Sequence, residues 1–136
     1  MTPIPFQQEL TVASQHLDEW NHVNNLEYIK WVLDISEAHW TAKTPVETRE
    51  KHAWFVLNHH VHYKRQAFLG EELILTTWIE TYSKVKSERR VLITRKTDGK
   101  TVVEAKTSWC FIDRVTKKPS LITTAIIRPY IEFVSF

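Results

Sequence analysis

The sequence predicts an α+β fold in which a curved antiparallel sheet wraps one long, mostly apolar helix. Three observations carry this. A helical pattern runs from Asn25 to about Trp40 with apolar residues round most of its circumference. Beyond it the chain turns to strand patterns, broken near Gly70 and at Asp98-Gly99. Six tryptophans, six phenylalanines and four tyrosines supply an aromatic core that 136 residues can bury, more readily with a partner subunit.

Taken in order, Phe6 to Val12 reads as an opening strand. In the helix, Glu27, Lys30, Asp34 and Glu37 recur at spacings of three and four and form one charged stripe, along which Lys30 and Asp34 can pair. Leu26, Ile29, Trp31, Val32, Leu33 and Ile35 fill most of the remaining surface, which predicts a helix that is wrapped rather than merely covered. Asn24 is placed to cap it, its side-chain oxygen accepting a free N–H of the first turn. Thr44 to Lys51 is polar and predicts a loop with a short helix. Trp54 to Ala67 and Glu71 to Tyr82 flank the turn near Gly70. Ser87 to Thr97 and Lys100 to Asp113 flank Asp98-Gly99, a two-residue hairpin signal. In the last of these strands Val103, Ala105, Thr107, Trp109 and Phe111 alternate with Glu104, Lys106, Ser108 and Cys110. The expectation is a meander of about four strands, with the apolar tail from Thr123 to Phe136 packed on the body.

Length and the absence of linkers or repeats predict one domain over residues 1–136. A net charge of +2 with both signs interspersed argues against nucleic-acid binding, which needs a concentrated basic face. No window approaches a membrane span, and MTPIPFQQEL lacks the basic start and apolar run of a signal peptide, so a cytoplasmic protein is expected. The single cysteine, Cys110, excludes an internal disulfide and reads as ordinary core or interface.

The stretch HLDEWNHVNNLEYIKW, His16 to Trp31, gathers an acid, a histidine and paired amides where the helix begins. With an aspartate four residues before the histidine, it resembles the D-x-x-x-H-V-N-N-x-x-Y signature of hot-dog-fold acyl thioesterases, in the branch holding plant-type acyl-ACP and bacterial acyl-CoA thioesterases. The element order agrees over nearly the whole chain. VHYKRQAFLGEEL resembles the family's y-x-x-p-a-x-x-G-D passage, with Gln66 where proline is common. The resemblance implies a hot-dog fold and hydrolysis of an acyl-CoA or acyl-ACP thioester without a metal or organic cofactor. It also implies a homodimer, possibly paired into a homotetramer, with the site between subunits. Asp18 takes the role of nucleophile or general base, the Asn24–Asn25 region polarises the thioester carbonyl, and His22 takes part. An asparagine used by the plant-type branch is replaced by Trp20, and a second aspartate of many relatives by Gln15. These departures favour a simpler scheme centred on Asp18.

The residues themselves support the same chemistry. A helix N-terminus offers unpaired N–H groups and the positive end of a dipole, which can serve as an oxyanion hole. A carboxylate a few residues earlier can attack or activate water. Plain structural alternatives stand beside each role. Asp18 can organise a turn, His22 can fix the loop, Asn24 and Asn25 can be caps, and Tyr28 can be packing. Tyr28 and Trp31 are candidates for the wall of an acyl pocket, which must be apolar and concave. Lys64, Arg65, Arg89 and Arg90 read as a solvated face or as holders of CoA or carrier phosphates. In His59-His60-Val61-His62 the strand period sends His59 to one face and the other two histidines to the other, and no carboxylate or cysteine nearby completes a metal site. Two rival functions remain, a hot-dog hydratase or dehydratase and a non-catalytic acyl-thioester binder.

Overall fold

The structure, a computed structural model, describes residues 1–133. Its elements are β1 (Thr2–Pro3), β2 (Phe6–Thr11), a 3-10 turn (Ser14–His16), α1 (Asn25–Lys43), α2 (Val46–Lys51), β3 (His52–Tyr63), β4 (Glu72–Ser83), β5 (Lys86–Arg95), β6 (Thr101–Asp113), α3 (Thr124–Ile127) and β7 (Ile131–Glu132). Five strands form one antiparallel sheet in the order β2-β4-β5-β6-β3, and β1 pairs with β7 in a small second sheet.

The α+β architecture and the element order match expectation, but the strand connectivity differs from a simple meander. Only β4, β5 and β6 follow one another in space. β3 lies at the far edge, paired with β6, so residues 64–71 cross over instead of closing a hairpin at Gly70. The reason is that β3 must reach an edge before β4 begins in the middle, and no local turn signal reports that. The β5–β6 connection is also longer than two residues. It runs from Lys96 to Lys100, with Gly99 at φ +70° and the Asp98 carboxylate accepting the Lys100 N–H at 2.9 Å. A left-handed φ there suits glycine. Register shifts at Val56/Asn58 and Ile79/Thr81 insert a residue in β3 and in β4, which adds local twist and bend.

α1 lies across the concave face. Tyr28, Trp31, Val32, Ile35, Ser36 and His39 are its buried residues, spaced as one helical stripe. The curved sheet wraps α1 as expected, and within a single chain it does so from one side. Leu26 is 71% exposed, and Ile29 and Leu33 are half-buried. A single sheet cannot reach round a helix, so the remaining apolar surface is left uncovered in one chain. Lys30, Asp34 and Glu37 are exposed as the charged stripe requires. The tail packs as expected as far as Ile131: Ile127, Tyr130 and Ile131 are buried, and residues 134–136 lie outside the described residues.

The core is in two parts. Under the first half of α1, residues such as Trp31, Ile35, Leu75, Val91 and Ile93 form one apolar cluster. Around the end of α1, Ile79, Phe111, Ile127 and Tyr130 form another, with Trp40 and Trp54 against it. Between them runs a buried polar layer of Ser36, His39, Thr77, Arg89 and Thr107.

Candidate active site

The residues before α1 form a tight loop. Leu17 and Val23 make an antiparallel bridge, and the Asp18 N–H donates to the His22 carbonyl at 2.8 Å. Asp18 Oδ1 accepts two backbone N–H groups, from Trp20 at 2.9 Å and His22 at 3.1 Å. Asn21, at φ 61°, makes the left-handed step that closes the loop, a conformation asparagine tolerates better than most residues. The Asn24 N–H donates to the His16 carbonyl at 3.0 Å, which fixes where the helix starts. Asn24 Oδ1 then accepts the Leu26 N–H at 3.0 Å, the cap that its position predicts.

Asp18, His22, Asn24 and Asn25 are therefore brought to one loop-and-helix entrance. Asp18 is half-buried, while His22, Asn24 and Asn25 are exposed. The turn-organising role of Asp18 is real, but it occupies Oδ1; Oδ2 makes no hydrogen bond among the described residues. One oxygen holds the loop and the other is free to act.

Tyr28 and Trp31 go to the core. Tyr28 is 1% exposed, its ring meets Trp31 edge-on at 5.3 Å, and its hydroxyl accepts the Ala67 N–H at 3.0 Å. Burial pushes the Tyr28 hydroxyl above its ordinary range, so it stays protonated. The Tyr28–Ala67 bond ties the first turn of α1 to the crossover that also carries Lys64 and Arg65. Lys64 pairs loosely with Glu104 at 3.9 Å, and Arg65 donates to the Thr101 carbonyl at 2.8 Å.

The four basic residues do not form one solvated face. Arg90 points to the outer side of the sheet and pairs with Glu80 at 2.9 Å. Arg89 points inward and is only 6% exposed, beneath α1. The expectation of a solvated Arg89 is thus corrected. The signal was in the strand period: Ser87, Arg89, Val91 and Ile93 alternate, and Val91 and Ile93 mark the inner face. His39, seven residues after Val32 on the buried stripe, could have been found the same way.

His59 Nδ1 lies 3.1 Å from Thr107 Oγ1 on the inner face, and His60 and His62 share the outer face with Glu88 and Arg90. Among the described residues no group of three His, Cys, Asp or Glu side chains is placed to hold a metal ion. Cys110 is buried and free. No helix of the described residues is long and apolar enough to cross a membrane.

A sheet curved over one long helix, with a free carboxylate oxygen and capped amides at the helix entrance, defines a hot-dog domain of the acyl-thioester enzymes. The chain matches the family description "Acyl-ACP thioesterase N-terminal domain" over residues 3–130 and belongs to that family. It is a thioester hydrolase, and the hydratase and binder alternatives give way to hydrolysis on this membership. Among curated proteins it is 27% identical over 117 residues to the long-chain acyl-CoA thioesterase FadM of Escherichia coli, covering 82% of this chain and 86% of that one. The crystal structure of YbaW, a probable thioesterase from Escherichia coli, is 25% identical with a TM-score of 0.76, covering 90% of this chain and 94% of that chain. A Staphylococcus aureus protein solved in complex with CoA superposes with a TM-score of 0.83 at 18% identity, over 100% of this chain and 91% of its own, and supports the fold.

Proposed function

We propose that this chain hydrolyses acyl-CoA or acyl-ACP thioesters at the entrance of α1, with Asp18 as the catalytic carboxylate. The single observation behind this is the division of labour on Asp18: Oδ1 is committed to the loop, and Oδ2 is free. In the proposed reaction Oδ2 takes a proton from a water that attacks the carbonyl, or attacks the carbonyl itself. The oxyanion forms against the Asn25 N–H, the entrance donor left without an acceptor among the described residues once the Asn24, Leu26 and Glu27 N–H groups are engaged, with Asn24 fixing the turn that aims it. The C–S bond then breaks, and the thiolate leaves and is protonated; after direct attack, water hydrolyses the acyl–Asp18 anhydride to release the acid and restore the carboxylate. His22, exposed beside the loop, is available to the leaving thiolate or to the water. Lys64 and Arg65 are the basic residues best placed for the phosphates of CoA or of a carrier arm, because the Tyr28–Ala67 bond holds their segment to the first turn of α1. Tyr28 and Trp31 support the acyl site from beneath by fixing that turn.

The working unit in this proposal is a homodimer. What supports it is the uncovered apolar surface of the single chain. β3 is an edge strand carrying Phe55 and Leu57 at 61% and 43% exposure, and Leu26 is exposed on α1. An edge of this kind is a template for another chain, and soluble proteins cover it. Pairing β3 with its symmetry mate would shield the edge and dry the helix entrance. The test is hydrolysis of a panel of acyl-CoA and acyl-ACP substrates, read alongside light scattering at micromolar protein. Turnover with release of free thiol from a dimer supports the proposal. A fully active monomer would contradict the dimer, and a folded dimer inert to the whole panel would contradict the catalytic assignment.

A further inference from the structure

The polar layer that divides the core borders a cavity of about 260 Å³ between α1 and the sheet. Ser36, Trp40, Trp54, Ser87, Arg89 and Trp109 contribute to its wall. Ser36 lies eleven residues beyond Asn25 in α1, about 16 Å along the helix at its usual rise. The cavity is therefore separate from the helix entrance. Its volume is below the ~300–1,000 Å³ of sites that take a whole drug-sized ligand, so it suits one end of a longer molecule.

Arg89 is the unusual wall. Its Nη1 donates to His39 Nδ1 and to Thr77 Oγ1, both at 2.9 Å. Both acceptors are uncharged: burial, the Arg89 charge and Lys43 hold His39 down to about 3, and it is neutral at ordinary pH. Burial draws the Arg89 guanidinium down to about 10, still charged near neutrality. Among the described residues no carboxylate lies within 4.0 Å of it, and its Nε and Nη2 make no hydrogen bond. A buried cation without a counter-ion is costly, and such charges are normally paired. A second donor is idle in the same wall: the Trp109 indole N–H is buried without an acceptor. At the cavity's rim Glu37 and Arg114 have opposite charges and offset each other, so Arg89 sets the sign inside.

A guanidinium fork, a spare N–H and walls of indole fit a planar anion on an apolar body. We propose that Arg89 and Trp109 make this cavity a carboxylate subsite, filled by the distal carboxylate of a dicarboxylic acyl thioester or by the carboxylate of the acid product. The proposal rests on the thioesterase reading for its substrates, but not for its binding test.

The kinetic arm compares tetradecanedioyl-CoA with myristoyl-CoA, and hexadecanedioyl-CoA with palmitoyl-CoA, by kcat/KM. Wild type is expected to favour the carboxylate-ended member of each pair by tenfold or more, and Arg89→Met to remove that preference. The binding arm needs no turnover. Tryptophan fluorescence is titrated with octanoate and with 1-octanol, since three of the six tryptophans line the cavity. Quenching that requires the carboxylate and is lost in Arg89→Met supports the subsite. Seen without a thioester preference, it assigns the site to the acid product. Seen in a protein that hydrolyses nothing, it leaves the subsite standing while the thioesterase reading falls. If Arg89→Met does not fold, Trp109→Phe keeps an aromatic side chain and removes the donor, and should weaken octanoate several-fold. Equal quenching by octanoate and octanol, with the substrate ratio near one in wild type, overturns the proposal.

Discussion

The two ends of α1 are built on opposite principles. At its start, Asp18, His22, Asn24 and Asn25 are half-buried or exposed, and their order comes from backbone hydrogen bonds within one short loop. Toward its end, His39 and Arg89 are buried, come from distant segments, and are ordered by packing. The first region is wet in a single chain and needs something outside the subunit to exclude water. The second is buried by folding alone, and its charge has no carboxylate partner among the described residues. Electrostatic interactions strengthen as water is removed, so under the proposed dimer the entrance would gain strength on assembly, while the cavity is enclosed by folding alone.

The largest expected effect falls on the entrance. Asp18→Asn keeps an acceptor for the Trp20 and His22 N–H groups but loses the base. Turnover should fall by roughly 10²-fold or more, while the melting temperature changes little. Hydrolysis rate and Tm measured on one sample decide it; near-normal turnover in the folded variant would return Asp18 to a purely structural role.

Tyr28→Phe probes the tie between the entrance and the crossover. Ala67 is fully buried, so losing the hydroxyl strands its N–H. An unsatisfied buried group costs about 1–3 kcal/mol, which denaturant melts should read as lost stability. No change would mean that the tie carries nothing.

Acid should find the other end of α1. His39 has its folded value lowered from 6.5 to about 3. The unfolded chain therefore binds a proton that the folded chain does not. Stability is fully present above pH 6.5 and is lost as pH falls through that window, by about 1.4 kcal/mol per unit from this one group. Urea melts between pH 7 and pH 5 measure it. His39→Gln should flatten the slope, and an unchanged slope would mean that other groups set it.

The smallest effect belongs to the cap. Asn24→Ala removes one acceptor from the first turn of α1 and should cost about 1 kcal/mol by thermal or chemical melts. A loss in turnover beyond that stability change would add a catalytic share to a capping residue.

What was legible follows the range of the interactions. The cap at Asn24, the charged stripe on α1, the strand periods and the cluster around Asp18 all depend on residues a few positions apart, and local chemistry fixes them. The sequence by itself determined the element order, the helix entrance and, through its motif, the family. The place of β3 at the sheet edge, the one-sided cover of α1 and the burial of Arg89 depend on residues 12 to 61 positions apart. Arg89 meets Thr77 across one strand pair and His39 across the whole core. Period two placed Arg89 and Arg90 on opposite faces, but only the packed sheet decided which face was inside. Only the tertiary structure could set a guanidinium beside a neutral histidine in an open cavity, because burial is a property of everything that surrounds a residue and not of its neighbours along the chain.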